Sequence, residues 1–177
     1  LQLERYRDRG EFWDAWDLAA NYREHPLPLQ SLGPPELRES GPLMVLAVQR
    51  FQVGTSELRL DLRLRADCPR IELVASVNWQ QRHELLRLEV PLAQKAVRLA
   101  ADTSGGVIER PALPKTQRER ERWEVPVISW FASQSAAPGG GLAVLLDGPQ
   151  GVDASPERLG MSLLRGATWP DPSGDQG

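Results

Sequence analysis

The residues best placed for chemistry come early, in Trp13-Asp14-Ala15-Trp16-Asp17. On a helix, residues three apart share a face, so Asp14 and Asp17 would stand there as neighbours. Retaining glycosidases need two carboxyl groups about 5–5.5 Å apart, and aromatic rings such as Trp13 and Trp16 offer a sugar a large apolar surface. The same five residues also allow a structural reading. In it both indoles anchor the segment on a sheet while Asp14 and Asp17 cap backbone amides. The spacing is compatible with either.

Other chemistries find less support. A zinc site needs several His, Cys or carboxylate ligands brought together. Here His25 and His83 are the only histidines, far apart and outside any ligand motif. His83, at a strand start, reads as a hydrogen-bonded structural residue. Cys68 is the single cysteine; it excludes an internal disulfide framework and fits a reducing, cytoplasmic compartment. No basic partner or helix N-terminus is evident to lower its pKa. There is no Gly-x-Ser-x-Gly elbow. Gly139-Gly140-Gly141 lacks the Lys-Ser/Thr pair and following helix of a phosphate loop.

The elements that must position these residues are strands. From about residue 36 to 101 the apolar period is two. Leu58, Leu60, Leu62 and Leu64 alternate with Arg59, Asp61, Arg63 and Arg65. Ile71, Leu73, Ala75, Val77 and Trp79 follow suit, and Leu86, Leu88 and Val90 continue the series. Each such segment offers one face to a core and one to water. Strands return at Trp123–Trp130, Leu142–Asp147 and Arg158–Arg165. Short strands parted by turn residues predict an all-β, antiparallel β-sandwich. The alternation predicts Leu60, Leu62, Leu73, Val77, Leu86, Leu88, Val125, Val127, Val144 and Leu163 as core. Residues 1–35, with the proline run from Pro26 and a helical turn expected over Glu11–Leu18, should form an irregular aromatic segment lying on the sandwich, not a central strand. The sandwich itself is expected over 36–169, with the charged run Lys115–Arg122 in an exposed loop or strand edge, and a tail over 170–177.

Composition limits the class further. The 177 residues suit one domain. A net charge of −3 at pH 7 argues against nucleic acid as a partner. No apolar run nears the roughly 20 residues of a spanning helix, which argues against a membrane partner. The chain opens at Leu1 without an initiator Met or a leader pattern; it is expected to be an excerpt of a longer one.

Read as strings, several segments resemble family 38 glycoside hydrolases, the α-mannosidases, of the shorter bacterial and cytosolic type. Asp8-Arg9-Gly10-Glu11-Phe12-Trp13-Asp14-Ala15-Trp16-Asp17 is similar to that family's W-D-A-W-D segment. The run Val77 to Arg87 resembles its D-W-x-x-R-H-K-x-L-x stretch. Ile108-Glu109-Arg110-Pro111 and Arg122-Trp123-Glu124-Val125 match V-x-R-P and R-F-E-V at the family's spacing. Leu142–Leu145, Gly151, Ser162–Arg165 and Pro170-Asp171-Pro172 resemble its closing strands and end. The likeness spans nearly the whole chain. Departures fall at Ala101 and Gly105, at Lys115–Glu119, and at Leu146–Gly151, where the family's N-D-x-K-Y-G keeps only Asp147 and the final Gly151.

The resemblance implies a galactose mutarotase-like supersandwich that packs against a preceding catalytic domain of the same chain. That domain would hold the nucleophilic Asp and the zinc, and would hydrolyse terminal α-mannosides with retention through a covalent intermediate. The present residues should supply no catalytic group and no metal ligand. A mannose-containing glycan would be met through the parent enzyme. The candidates for its substrate cleft or domain interface are Arg110, Asp147, Trp13, Asp14, Trp16 and Asp17, with Arg110 and Asp147 expected on the face the catalytic domain covers. The alternative is a carbohydrate-binding or interaction sandwich with no hydrolase partner, engaging sugar through exposed indoles.

Overall fold

The computed structural model describes residues 1–10 and 15–168. Its first strands are β1 (Gln2–Arg7), β2 (Pro26–Leu27), β3 (Gln30–Ser31), β4 (Glu36–Ser40) and β5 (Met44–Val53). Next come β6 (Ser56–Arg65), β7 (Ile71–Val77), β8 (Glu84–Pro91), β9 (Ala96–Thr103) and β10 (Gly106–Pro111). A single turn of helix, α1 (Gln117–Arg120), precedes β11 (Val125–Val127), β12 (Trp130–Ser135), β13 (Ala143–Leu145), β14 (Gln150–Ser155) and β15 (Arg158–Arg165). The pairings from β3 onward, and that of β1 with β8, are antiparallel. The all-β class expected from the alternation is what forms. Among the described residues no helix is long and apolar enough to cross a membrane.

The chain folds as two compact units, Leu27–Arg82 and Leu1–Pro26 with His83 onward. The first is a single sheet ordered β3-β5-β6-β7, with β4 pairing β5 as well. Its long hairpin is in continuous register from Val53↔Ser56 to Met44↔Arg65. Gly54 opens the two-residue turn at a φ of 59°, the positive value that such hairpins need and that glycine adopts without steric cost. Along β6 the leucine face fades outward: Leu58 is 0% exposed, Leu60 is buried, and Leu64 is 42% exposed.

The larger unit holds two sheets, ordered β11-β14-β15-β8-β1-β2 and β10-β9-β12-β13. They meet where β11 and β14 contact β9. Leu86, Leu88, Leu99, Ala101, Val127, Phe131, Val152 and Leu159 are all buried in this unit.

Several expectations give way here. Residues 1–35 are not all irregular, because Gln2–Arg7 runs between β8 and β2 inside the six-stranded sheet. Tyr6 lies against Tyr22 with ring centroids 5.2 Å apart, and Arg5 pairs with Glu84 at 2.7 Å. These cross-strand contacts outweigh the polar composition. The proline run yields only the two-residue edge strand β2, where a missing N–H costs no ladder bond. The compact units part at 26/27 and 82/83. Lys115–Arg122 is neither loop nor strand edge throughout, since Thr116 and Glu119 close a capping box that sets α1. Of the ten core residues, Leu60, Leu86, Leu88 and Val127 are buried. Leu62, Leu73, Val77, Val125, Val144 and Leu163 are only half-buried, because alternation fixes the face and not the depth. The helical turn over Glu11–Leu18 and the tail 170–177 fall wholly or partly outside the described residues; Ala15–Asp17 is a turn.

Candidate functional site

The densest polar constellation is built on β8. Side chains alternate along a strand, so Leu85, Arg87 and Glu89 share one face while Leu86 and Leu88 share the other. All five are buried, because β8 lies between β1 and β15 and is covered on both faces. Arg87 is 0% exposed. Its Nε donates to Glu89 at 3.2 Å, its Nη1 to Ser162 at 2.9 Å, and its guanidinium also pairs with Glu124 and Asp153. Arg158 reaches Glu89 at 2.7 Å and Asp153 at 2.9 Å. Arg23 reaches the same two carboxylates at 3.3 and 3.2 Å. The Tyr22 ring lies 5.0 Å from the Arg23 guanidinium carbon and 5.6 Å from that of Arg87, within cation–π range.

Two glycines make room for this network. Gly160 stands opposite Glu89 on β8 and Asp153 on β14. A Cβ there would run into the side chains of Arg87, Asp153 and Arg158. A Cβ on Gly151 would meet the Glu124 carboxylate at 2.6 Å. Neither glycine has a positive φ, so both are needed for space and not for backbone shape.

Electrostatically the cluster is closed, with three arginines facing three carboxylates. Burial pushes the Arg87 pKa down, but Asp153 and Glu124 outweigh it and hold the guanidinium more firmly charged. Burial likewise raises Asp153, yet Arg87 and Arg158 bring it below the usual carboxylate range. Burial drives the Tyr22 hydroxyl well above its ordinary value. Such groups neither give nor take protons near neutrality, so the network is suited to clasping β8, β14, β15 and the segment before β11 together. Glu89, Glu124 and Asp153 are neutralised by guanidinium and have no charge left for a metal. Among the described residues no grouping of His, Cys, Asp and Glu could hold one. The residues present do not fit zinc.

The candidates named from sequence are dispersed. Trp13 and Asp14 lie outside the described residues. Trp16 is 80% exposed and anchors nothing. The Asp17 carboxylate accepts from the Leu18 amide at 2.8 Å, and its carbonyl accepts from Arg165 at 2.8 Å. Asp147 is exposed just beyond β13. Arg110 sits on β10, the opposite edge of that sheet, with β9 and β12 between, so the two are not brought together. Arg110 is half-buried and donates to the Arg122 carbonyl at 2.6 Å. It lines a cleft with Arg23, Arg120, Arg122, Trp123 and Asp153. Cys68 does have a basic partner: an Arg70 hydrogen bond lowers its pKa.

Arg87, Glu89, Glu124, Asp153 and Arg158 were not singled out from sequence. One signal was present, a Leu-Arg-Leu-Glu run in which the charges alternate with core leucines; depth alone distinguishes it from a solvated face.

Comparison with known proteins adds the context. Residues 1–173 match the model of the glycosyl hydrolases family 38 C-terminal domain. Over 178 residues the chain is 29% identical to alpha-mannosidase 2C1 of Homo sapiens, covering 99% of this chain and 17% of that protein. It is 29% identical over 177 residues to alpha-mannosidase G of Dictyostelium discoideum, covering 97% of this chain and 16% of the relative. The mouse alpha-mannosidase 2C1 is 27% identical over 178 residues. The chain thus spans about a sixth of the length of the curated relatives it matches.

Proposed function

The chain belongs to the family 38 glycosyl hydrolase C-terminal domains, and from that premise we propose that it completes an α-mannosidase whose catalytic groups lie elsewhere in a longer protein. The observation that carries this is that 99% of the chain aligns with only 17% of an alpha-mannosidase. In this reading the chain gives the catalytic domain a rigid β surface to pack on. The remaining part supplies the nucleophilic carboxylate and the zinc, and hydrolyses terminal α-mannosides with retention. Arg110 and Asp147 belong to the surface that the catalytic domain covers, and Trp16 and Asp17 to its margin, beside Trp13 and Asp14. The exposed Trp16 is available for contact with a glycan or with that domain. A cytoplasmic setting, which would keep Cys68 reduced, belongs to the same proposal.

The test is expression of the longer enzyme with and without this region, alongside the 177-residue chain alone. Aryl α-mannoside turnover by the longer enzyme, lost when the region is removed and absent from the chain alone, is the expected result. Turnover by the chain alone would overturn the reading. Glycan binding by the chain alone, abolished by Trp16→Ala, would favour a carbohydrate-binding role instead.

A further inference from the structure

The cleft beside Arg110 differs in kind from the buried network. It has a volume of about 220 Å³, room for about seven waters at ~30 Å³ each. That suits a small ion or one side-chain end group, not an oligosaccharide. Arg110, Arg120 and Arg122 line it, and none of the three reaches a carboxylate among the described residues. Arg110 donates to the Arg122 carbonyl, and Arg120 to the Lys115 carbonyl at 3.2 Å. The two carboxylates at the cleft are engaged already. Glu119 accepts from the Lys115 and Thr116 amides at 2.7 and 2.9 Å. Asp153 is held by Arg23, Arg87 and Arg158.

We propose that this cleft is an oxyanion site, in which Arg110 and Arg122 take one carboxylate or phosphate group, with Arg120 adding charge at the rim. Guanidinium forks match the paired oxygens of both groups. A half-buried cation with no carboxylate in ion-pair reach is costly, and an anion from outside lowers that cost. Burial and the neighbouring Arg122 lower the Arg110 pKa more than Glu119 and Asp153 raise it, the direction expected of a guanidinium only partly compensated. The capping box fixes the backbone turn that leads to Arg120 and Arg122. The oxyanion can come from a diffusible anion or from an Asp or Glu side chain of another domain of the longer protein.

Calorimetric titration of the 177-residue chain with inorganic phosphate, and separately with acetate, at ionic strength held constant with chloride, tests the site. Saturable binding of one anion per chain is expected, weakened at least tenfold by Arg110→Gln and by Arg122→Gln. Arg98→Gln should leave it unchanged, since Arg98 already pairs with Glu109 at 2.7 Å. Arg122 is exposed, so its variant keeps the test valid should Arg110→Gln fail to fold. No saturable binding of either anion, or equal weakening by Arg98→Gln, overturns the proposal. Repeating the titration on the longer enzyme identifies the source. Phosphate binding that persists there indicates a diffusible ligand. Binding that is blocked in the longer enzyme, and restored when its other domains are removed, indicates a side chain. The first arm needs no mannosidase activity, so its failure is distinct from failure of the mannosidase reading.

Discussion

Strands β6 and β8 look alike on paper and behave oppositely in the fold. Ser56-Glu57-Leu58-Arg59-Leu60-Asp61-Leu62-Arg63-Leu64-Arg65 and Glu84-Leu85-Leu86-Arg87-Leu88-Glu89 both alternate leucine with charge. In β6 the charged face is open except at the buried Asp61: Arg59, Arg63 and Arg65 are half-buried or exposed, and ion pairs stay local, as in Arg65 with Glu72 at 3.0 Å. In β8 the charged face is as deeply buried as the leucines. The difference lies in what covers each face. Tyr22, Glu124, Ser162 and Asp153 contact Arg87, and the two glycines leave the space for them. Two-residue periodicity shows which side chains share a face, while the surroundings determine whether that face meets solvent or a second set of charges.

The largest effect that would sharpen this contrast is expected at Arg87. Arg87→Met leaves Glu124 without a guanidinium partner and takes one cation from Glu89 and Asp153, and should cost about 3–5 kcal/mol, as removal of one partner from a buried ion network does. Arg65→Met on β6 should leave the denaturation midpoint where it was. Equal midpoints for the two variants would break the comparison. Within β6, Leu58→Ala should cost about 2–5 kcal/mol, and Leu64→Ala, at the exposed end of the same face, much less. Denaturant titration of both reads directly whether burial fades along the strand.

Gly160→Ala comes next. Its methyl meets Arg87, Asp153 and Arg158, and overpacking of this kind costs about 1–3 kcal/mol. Gly148→Ala, with no atom within 4 Å of the added Cβ, is the matched control and should be neutral by thermal unfolding. The smallest effect concerns pH. The folded-state pKa of Asp153 is depressed below its unfolded value of about 3.9. Its contribution to stability is therefore fully present above that pH and lost as pH falls through the folded value. Denaturation midpoints measured from pH 6 down to 3 should decline at the acid end in the wild type. The decline should flatten in Arg87→Met, where the main cause of the depression is gone.

The resemblance to α-mannosidases was legible because motif strings are local. The segments that carried it contain Arg87, Arg110, Glu124 and Gly151, although only Arg110 among them had been named for a role. The spacing of Asp14 and Asp17 allows either a catalytic pair or backbone caps; Asp17 bonds the adjacent Leu18 amide, and Asp14 lies outside the described residues. The expectation that Arg110 and Asp147 share the covered face could not be tested by strand pattern, because the order of strands in a sheet is set by long-range pairing. That order places them on opposite edges.

By itself the sequence determined the all-β class, the faces of β6 and β8 and the family, since each depends on residue type and short spacing. Tertiary structure alone decided that Gln2–Arg7 is an inner strand and that Leu27–Arg82 forms a unit of its own. It also decided that the charges of β8 close on one another while those around Arg110 stay open. Each of these depends on contacts between residues distant in the chain, such as Arg87 with Asp153, whose worth is set by burial and by which partners the fold delivers.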